Sequence, residues 1–467
     1  MEPNDSNESP AYDLVVIGSG PAGQKGAIAA AKLGKRVAIV DRREMVGGVC
    51  IHTGTIPSKT LREGILYLSG FRERTFYGRD YAVKDEISVS DLAFRVQAVL
   101  AREVDVIRAQ LKRNHVELVT GTARFLDPHT LEVHGAAGAT RVRANHVLIA
   151  CGTRPAHSPT VLLDGRRVID SDQLIRLERF PRDLIVVGAG VIGLEYAAMI
   201  TALNVKVTII EQNPTILDFV DREIVETLHY FMRQRGAIFR LGEKVISVER
   251  DEKDRVVANL ESGKRVHGDT LLYTVGRQTN ADLLNLEAAG ISADPRGRLA
   301  VNEFFQTATP HIYAAGDVIG FPALASTSME QGRLASCHMF GAYCQSRREA
   351  IPFGIYTIPE ISTVGKTEQE LTEAKVPYEI GISKFDELAK GQMLGTEVGL
   401  LKILFDPKTL KLLGVHVIGE SAAEIVHIGQ AVLALGGTIE YFRDTVFNYP
   451  TFAEAYKVAG LDGLNRL

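Results

Sequence analysis

The feature that most constrains this 467-residue chain is a segment that occurs twice. Leu14-Val-Val-Ile17 is a short β-branched run that gives way to Gly18-Ser-Gly20-Pro-Ala-Gly23 and an alanine-rich stretch to Leu33. Leu184-Ile-Val-Val187 gives way in the same manner to Gly188-Ala-Gly190-Val-Ile-Gly193 and a second alanine-rich stretch through Ala202. Both read as strand, glycine turn, helix. Each is followed by another apolar strand that closes on an acid, Arg36–Val40 on Asp41 and Lys206–Ile210 on Glu211. The two copies lie 170 residues apart, and each acid stands 23 positions past its first glycine.

That pattern has a chemical meaning. The first glycine permits the tight turn, the second lets main chain approach a pyrophosphate, and the third lets helix pack on strand. The phosphate then meets free N–H groups and the positive end of the helix dipole. The terminal acid is placed to accept hydrogen bonds from ribose hydroxyls. Gly18, Gly20, Gly23 and Asp41 therefore form one candidate dinucleotide site, and Gly188, Gly190, Gly193 and Glu211 a second. Two such sites on one chain imply a flavin and a nicotinamide nucleotide, hence hydride or electron transfer.

Composition narrows the remaining classes. Lys plus Arg total 53 against 57 Asp plus Glu, a net charge of −4, which disfavours nucleic-acid binding. With 45% hydrophobic and 24% charged residues the chain reads as globular, with a core for about three domains. The polar leader Met1–Pro10 has no signal-peptide character and reads as disordered. The longest apolar run, Leu184–Leu194, is cut by three glycines and is too short to cross a membrane. The four cysteines, Cys50, Cys151, Cys337 and Cys344, show neither a CxxC pair nor a disulfide-framework spacing, which suggests a reducing, cytoplasmic setting. No His/Cys/Asp cluster has metal-ligand spacing, so no metal is expected.

Between the two units, alternating strands at Glu117–Phe125 and Thr130–Val133 lead to Val147-Leu-Ile-Ala-Cys-Gly-Thr-Arg-Pro155, a first boundary. Ile312-Tyr-Ala-Ala-Gly-Asp317 closes a later strand with an acid at its C-terminal end, where ligands gather in parallel α/β sheets. Beyond Pro352, strands at Gly399–Phe405 and Lys411–Ile418 alternate with an apolar helix, Ala422–Leu435.

These residues, with Gly47-Gly48-Val-Cys50-Ile-His-Thr-Gly-Thr55-Ile-Pro-Ser-Lys59, Thr307–Asp317, Gly276-Arg277-Gln-Thr-Asn280 and Tyr356-Thr-Ile-Pro-Glu360, resemble the flavoprotein disulfide reductase family. The resemblance runs from about Ala11 to Leu467. It implies an α/β, glutathione reductase-like fold: two Rossmann-like dinucleotide-binding domains plus a C-terminal α+β dimerisation domain. The expected division is an FAD-binding domain in residues 1–155, an NAD(P)-binding domain in 156–278, a return segment of the FAD-binding domain in 279–350, and a dimerisation domain in 351–467. By the resemblance, Asp317 would hold the ribityl chain of FAD, and Gly48, Cys50, Gly276, Arg277 and Ala325 would complete the cofactor contacts. Lys59 would lie near flavin N5 and pair with Glu195. A cation there stabilises the charge of reduced flavin, and the acid keeps it oriented.

Two departures from the family are informative. Its disulfide reductases use a C-x4-C pair, but here Cys50 is followed five positions on by Thr55, so Cys50 has no local partner for a redox cycle. They also bring a His-Pro-Thr-x-x-Glu motif from the partner subunit, where this chain has Tyr449-Pro450-Thr451-Phe-Ala-Glu454. Tyrosine, with an ordinary pKa near 10, cannot exchange protons at neutral pH as histidine does. With disulfide and base both gone, the expected reaction is FAD-dependent hydride transfer between NADPH and NAD+, by turns at one site of a homodimer or higher homo-oligomer; a quinone or dye acceptor is the alternative. Glu211 favours the free 2′-hydroxyl of NAD, with Arg222 and Arg277 as candidates to offset it for NADP. His52 reads as a positioning residue, His427 as a satisfied core histidine, and Glu454 as a structural hydrogen-bonding group.

Overall fold

The computed structural model describes residues 11–42, 45–78, 80–346 and 350–467; the leader Met1–Pro10 lies outside the described residues. The chain divides into two compact units, each assembled from three separate segments. The first comprises Met1–Thr60, Phe94–Ala156 and Gly276–Ser346; the second comprises Leu61–Ala93, His157–Val275 and Arg347–Leu467.

The first unit is built on a seven-stranded sheet. Its central strands, Ala11–Ile17 and Val37–Asp41, carry the apolar runs Leu14–Ile17 and Val37–Val40, all buried. Such runs suit a parallel sheet covered on both faces. One face, through Leu14, Val16, Ile39 and Leu148, meets Ala22, Ala27 and Ala30 of the helix Pro21–Lys32 and Leu334 and Ala335 of the helix Ala325–Met339. The other face carries Val15, Val40, Val147 and Ile149 into a core with Phe125 and Leu131. Gly138–Ile149 is the hinge of the sheet: its first half pairs antiparallel with Thr130–Gly135, its second half parallel with Ala11–Ile17, and its end parallel with Ile312–Ala314.

The stretch Glu117–Phe125 is not continuous. Glu117–Thr120 pairs parallel with Val37–Asp41, whereas Thr122–Asp127 pairs antiparallel with Thr130–Gly135. The exchange occurs at Gly121, whose N–H donates to Asp41 O at 2.9 Å. A Cβ there would stand 2.6 Å from Val133 Cγ1, so no larger residue passes the crossing.

In the second unit, a parallel sheet orders Ile238–Leu241, Lys206–Glu211, Asp183–Val187, Thr270–Tyr273 and Val168–Asp170. A separate antiparallel sheet orders Phe353–Ile355, Ile361–Gly365, Leu412–Ile418, Leu400–Phe405 and Glu379–Lys384. The helices Ala422–Ala434 and Glu454–Leu464 cover it through Val426, Val432, Ala455, Tyr456 and Ala459. His427 stands one position past Val426, on the exposed side, where Nδ1 meets Gln430 Oε1 at 2.7 Å; it is not the core histidine expected.

One buried cation fastens these two parts of the second unit. Lys402, on Leu400–Phe405, is fully buried, and its Nζ lies 3.0 Å from Asp221 Oδ1 and 3.0 Å from Glu223 Oε2 and also bonds Glu368. Asp221, itself fully buried, caps the helix Arg222–Gln234 of the nucleotide-binding half, while Glu368 opens the helix Glu368–Glu373 of the other half. The three carboxylates converge closely enough to resemble a metal site, but the ammonium sits among them. Among the described residues no helix is long and apolar enough to cross a membrane.

Candidate cofactor and substrate sites

The two glycine turns fold alike. Gly18 and Gly188 take φ of 104° and 100°, and Gly20 and Gly190 cap the helices Pro21–Lys32 and Val191–Ala202 in the same extended conformation. A Cβ on Gly23 would stand 1.9 Å from Gly18 O, and one on Gly193 would stand 2.1 Å from Gly188 O, so both must be glycine for helix to pack on turn. Gly20 and Gly190 face open space, with no heavy atom within 4 Å of the Cβ position, as a pyrophosphate approach requires. The acids behave alike too. Asp41 Oδ2 accepts from Ser19 N–H at 2.6 Å, and Glu211 Oε2 accepts from Ala189 N–H at 2.7 Å. Each acid thus fastens its turn with one oxygen. Burial raises the pKa of Asp41, an effect that the Ser19 and Arg42 donors oppose.

In the first unit the turn opens onto a cavity of about 280 Å³. Its lining brings together Gly18, Gly20, Asp41, Gly48, Cys50, Asp317 and Ala325, far apart in sequence. Gly23 lies beneath the turn rather than in the lining. The cavity joins the glycine turn to a mixed lining of apolar side chains with Thr55, Thr153, Asn280, Asp317 and Ser328, which fits the pyrophosphate, ribityl chain and ring system of FAD. Gly276 and Arg277 do not line it. Arg277 instead donates through Nε to Thr153 Oγ1 at 2.7 Å, and that hydroxyl donates to Asp317 Oδ2 at 3.2 Å. Arg277 therefore acts on the cavity through Thr153, whose main-chain O also accepts from its Nη2 at 3.0 Å. Thr153 lies in the turn Cys151–Pro155, and its place beside Asp317 depends on strand pairing to Arg277–Thr279, which local sequence does not mark.

Cys50 lies in the lining, half-buried, and is a free cysteine. Burial pushes its thiol pKa up, with a hydrogen bond from Thr55 and the charge of Lys59 pulling the other way. His52 is held by Nε2 against Val46 O at 2.9 Å, a positioning contact behind the glycine pair Gly47-Gly48. Lys59 stands on the helix Thr55–Leu68. Glu195 is buried on Val191–Ala202, and its Oε1 accepts from the N–H of Tyr356 at 2.8 Å, which accounts for the placing of the Tyr356–Glu360 segment. Arg222 is exposed at the start of its helix. Glu454 Oε2 is buried with no hydrogen-bond partner among the described residues.

The cysteines correct one expectation. Cys337 and Cys344 are joined in a disulfide across seven residues. The helix Ala325–Met339 ends at Phe340 and Gly341, and the chain turns back so that the two Cα atoms stand 6.1 Å apart. Cys151 remains free, its thiol pushed up to about 12 by burial.

The pyridine nucleotide-disulphide oxidoreductase profile matches residues 12–332, and the dimerisation-domain profile of the same group matches residues 351–459. The chain belongs to this oxidoreductase family. Among family members, the soluble pyridine nucleotide transhydrogenase of Mycobacterium bovis is 54% identical over 98% of both chains. That of Erwinia tasmaniensis is 46% identical over 98% of both. The crystal structure of LpdA from Mycobacterium tuberculosis superposes with a TM-score of 0.89 at 27% identity, covering 97% of this chain and 99% of that one. The family fold is thus the glutathione reductase-like arrangement, FAD is its cofactor, and this chain is an oxidoreductase of that kind.

Proposed function

We propose that the protein is a soluble transhydrogenase that moves hydride between NADPH and NAD+, with no disulfide in the path. The observation that carries this reading is the free Cys50 beside Thr55 in the FAD cavity: the position of the second redox thiol holds a hydroxyl. The names of relatives 54% and 46% identical along nearly the whole chain support it.

Bound in the first unit, FAD would supply at N5 a centre that accepts and returns hydride, so that the two nucleotides are served in turn, a ping-pong cycle. Gly18, Gly20 and Gly23 shape the pyrophosphate end, and Asp41, whose Oδ1 also accepts from the N–H of Arg42 at 2.8 Å, is assigned to the ribose. Asp317, aimed by Thr153 and Arg277, faces the ribityl side. Lys59 is assigned the cation of the reacting end, and Glu195, fixed by the Tyr356 N–H, the acid that orients it. Gly188, Gly190, Gly193 and Glu211 receive NAD(H) or NADP(H). Residues 1–155 and 279–350 form the FAD domain, 156–278 the NAD(P) domain, and 351–467 the interface of a homodimer working in the cytoplasm.

An anaerobic experiment tests the reading. Holoenzyme bleached with NADPH should recover its oxidised flavin spectrum when NAD+ is added. Failure with NAD+ together with recovery by a menaquinone analogue would replace it with an NAD(P)H–quinone reductase.

A further inference from the structure

The bond between Cys337 and Cys344 stands outside everything assigned to the reaction, and its surroundings give it a use. Cys337 is buried in the last turn of Ala325–Met339, while Cys344 is half-buried in the segment after it. The turn between them does not depend on sulfur. Ala342 N–H donates to Cys337 O at 2.8 Å, Gly341 N–H donates to His338 O at 3.2 Å with Gly341 at φ of 65°, and Arg333 donates to Gln345 O at 2.9 Å. These hydrogen bonds are made by main chain and by Arg333, so none of them depends on the S–S bond itself, as reversible chemistry needs. Cys344 is half-buried, packed against the core cluster that holds Leu334 and Met339, and exchange would proceed by thiolate attack on one sulfur of the bond.

The helix carrying Cys337 is also a wall of the FAD cavity. Its first turns contribute Ala325 and Ser328 to the lining, and Gln331 Oε1 accepts from Gly316 N–H at 2.8 Å, next to Asp317. Gly332 packs so closely on the phosphate-side helix that a Cβ would stand 2.0 Å from Ala22 O, and Ser336 Oγ donates to Gly26 O at 2.8 Å. A covalent tie at the far end of this helix limits fraying of its last turn and so steadies the wall.

We infer that Cys337 and Cys344 are a reversible thiol–disulfide site, exchanging with small thiols and disulfides, whose oxidised form holds the cavity-wall helix and slows loss of FAD. Reduction by two equivalents of a small thiol breaks the S–S bond, leaves two cysteine thiols and yields one small-molecule disulfide. Reoxidation by a hydroperoxide forms the bond again and releases an alcohol and water.

Holoenzyme equilibrated across glutathione and glutathione-disulfide ratios, quenched in acid and alkylated differentially, should show by peptide mass Cys337 and Cys344 changing together in a single two-thiol transition. Dithiothreitol should open the bond and hydrogen peroxide restore it. Flavin release in dilute chaotrope, followed by fluorescence, should be roughly threefold or more faster in the reduced protein, and C344S should release at the reduced rate under both conditions. Reduced wild type blocked with iodoacetamide gives the same comparison without a substitution. Two cysteines that stay thiols at every ratio, or that end as separate glutathione adducts, overturn the site. Equal release rates in both states overturn its effect on FAD. The thiol measurement is independent of the proposed transhydrogenation.

Discussion

Replacing Lys402 by methionine isolates the charge of the buried cluster, because methionine keeps most of the apolar stem and deletes the ammonium. In the wild type, burial alone would raise the pKa of Asp221, but the charges of His416 and Lys402 prevail and hold it below the usual carboxylate range. Burial likewise opposes the charge on Lys402, yet Glu368, Asp221 and Glu223 hold its pKa above the ordinary value. Removing one member of such a buried pair costs about 3–5 kcal/mol, since the partner charge is left without compensation. Most of that falls on Asp221, which is fully buried; Glu223 and Glu368, at 43% and 32% exposed, retain some water. For a unit of this size the loss corresponds to roughly 6–15 °C in midpoint temperature. The pH dependence is more diagnostic than the size. In the wild type, the Asp221 contribution is present above the unfolded aspartate pKa, about 4, and is lost as pH falls through the lower folded value. The Lys402 contribution is present below about 10.4 and is lost as pH rises through the higher folded value. Between those limits Asp221 and Lys402 add no slope; buried His416, whose pKa burial lowers, costs stability as pH falls below the unfolded histidine value of about 6.5. In Lys402→Met the three carboxylates repel one another and their folded pKa values rise, so acidification from pH 8 to 5 should stabilise the variant relative to the wild type. Thermal unfolding by circular dichroism at three pH values measures both quantities. A midpoint within 2 °C of the wild type, or a pH profile parallel to it, would refute the account of Lys402 as the fastening of the second unit.

Three further outcomes bear on the sites. Gly23→Ala places a methyl 1.9 Å from Gly18 O and should yield protein with little bound flavin, read as the ratio of 450 nm to 280 nm absorbance. Glu211→Gln removes a negative charge from the ribose end, and should raise the NADPH-to-NADH ratio of kcat/KM roughly fivefold, about 1 kcal/mol; an unchanged ratio would mean that Glu211 serves only the N–H groups of Ala189 and Asn213. Thr55→Cys restores the C-x4-C spacing with Cys50. Two-electron reduction of that variant should produce a long-wavelength charge-transfer band absent from the wild type, but little turnover of external disulfides, because Tyr449 stands where a histidine would protonate the thiol.

Much of this was legible in the sequence because the signals were local. Each glycine turn is specified by six consecutive residues, and the acid by strand length, so Asp41 and Glu211 were found together with the geometry that places them. The missed features depend on partners distant in sequence. Lys402 lies in an apolar strand, and its acids stand 181 and 34 residues away, so nothing nearby marks it as an ion-pair centre. Gly121 interrupts an alternating run only because the sheet offers a different neighbour on each side. Cys337 and Cys344 pair because Gly341 reverses the chain, a turn that no spacing rule for cysteines encodes. His427 stands on the side of its helix away from the sheet, and an apolar composition does not by itself say which side is covered.

The interleaving of the two units sets an order on synthesis. The first unit needs the strand Ile312–Ala314 and Asp317, which leave the ribosome only after Asp183–Val187, Lys206–Glu211 and the rest of the inserted nucleotide-binding segment. That insert can begin folding while the flavin cavity still lacks one of its walls, and the antiparallel sheet that completes the second unit arrives last of all. FAD capture is therefore a late event in the life of each chain, and an interruption of translation before residue 317 would leave a polypeptide able to form its second glycine turn but unable to close around a flavin.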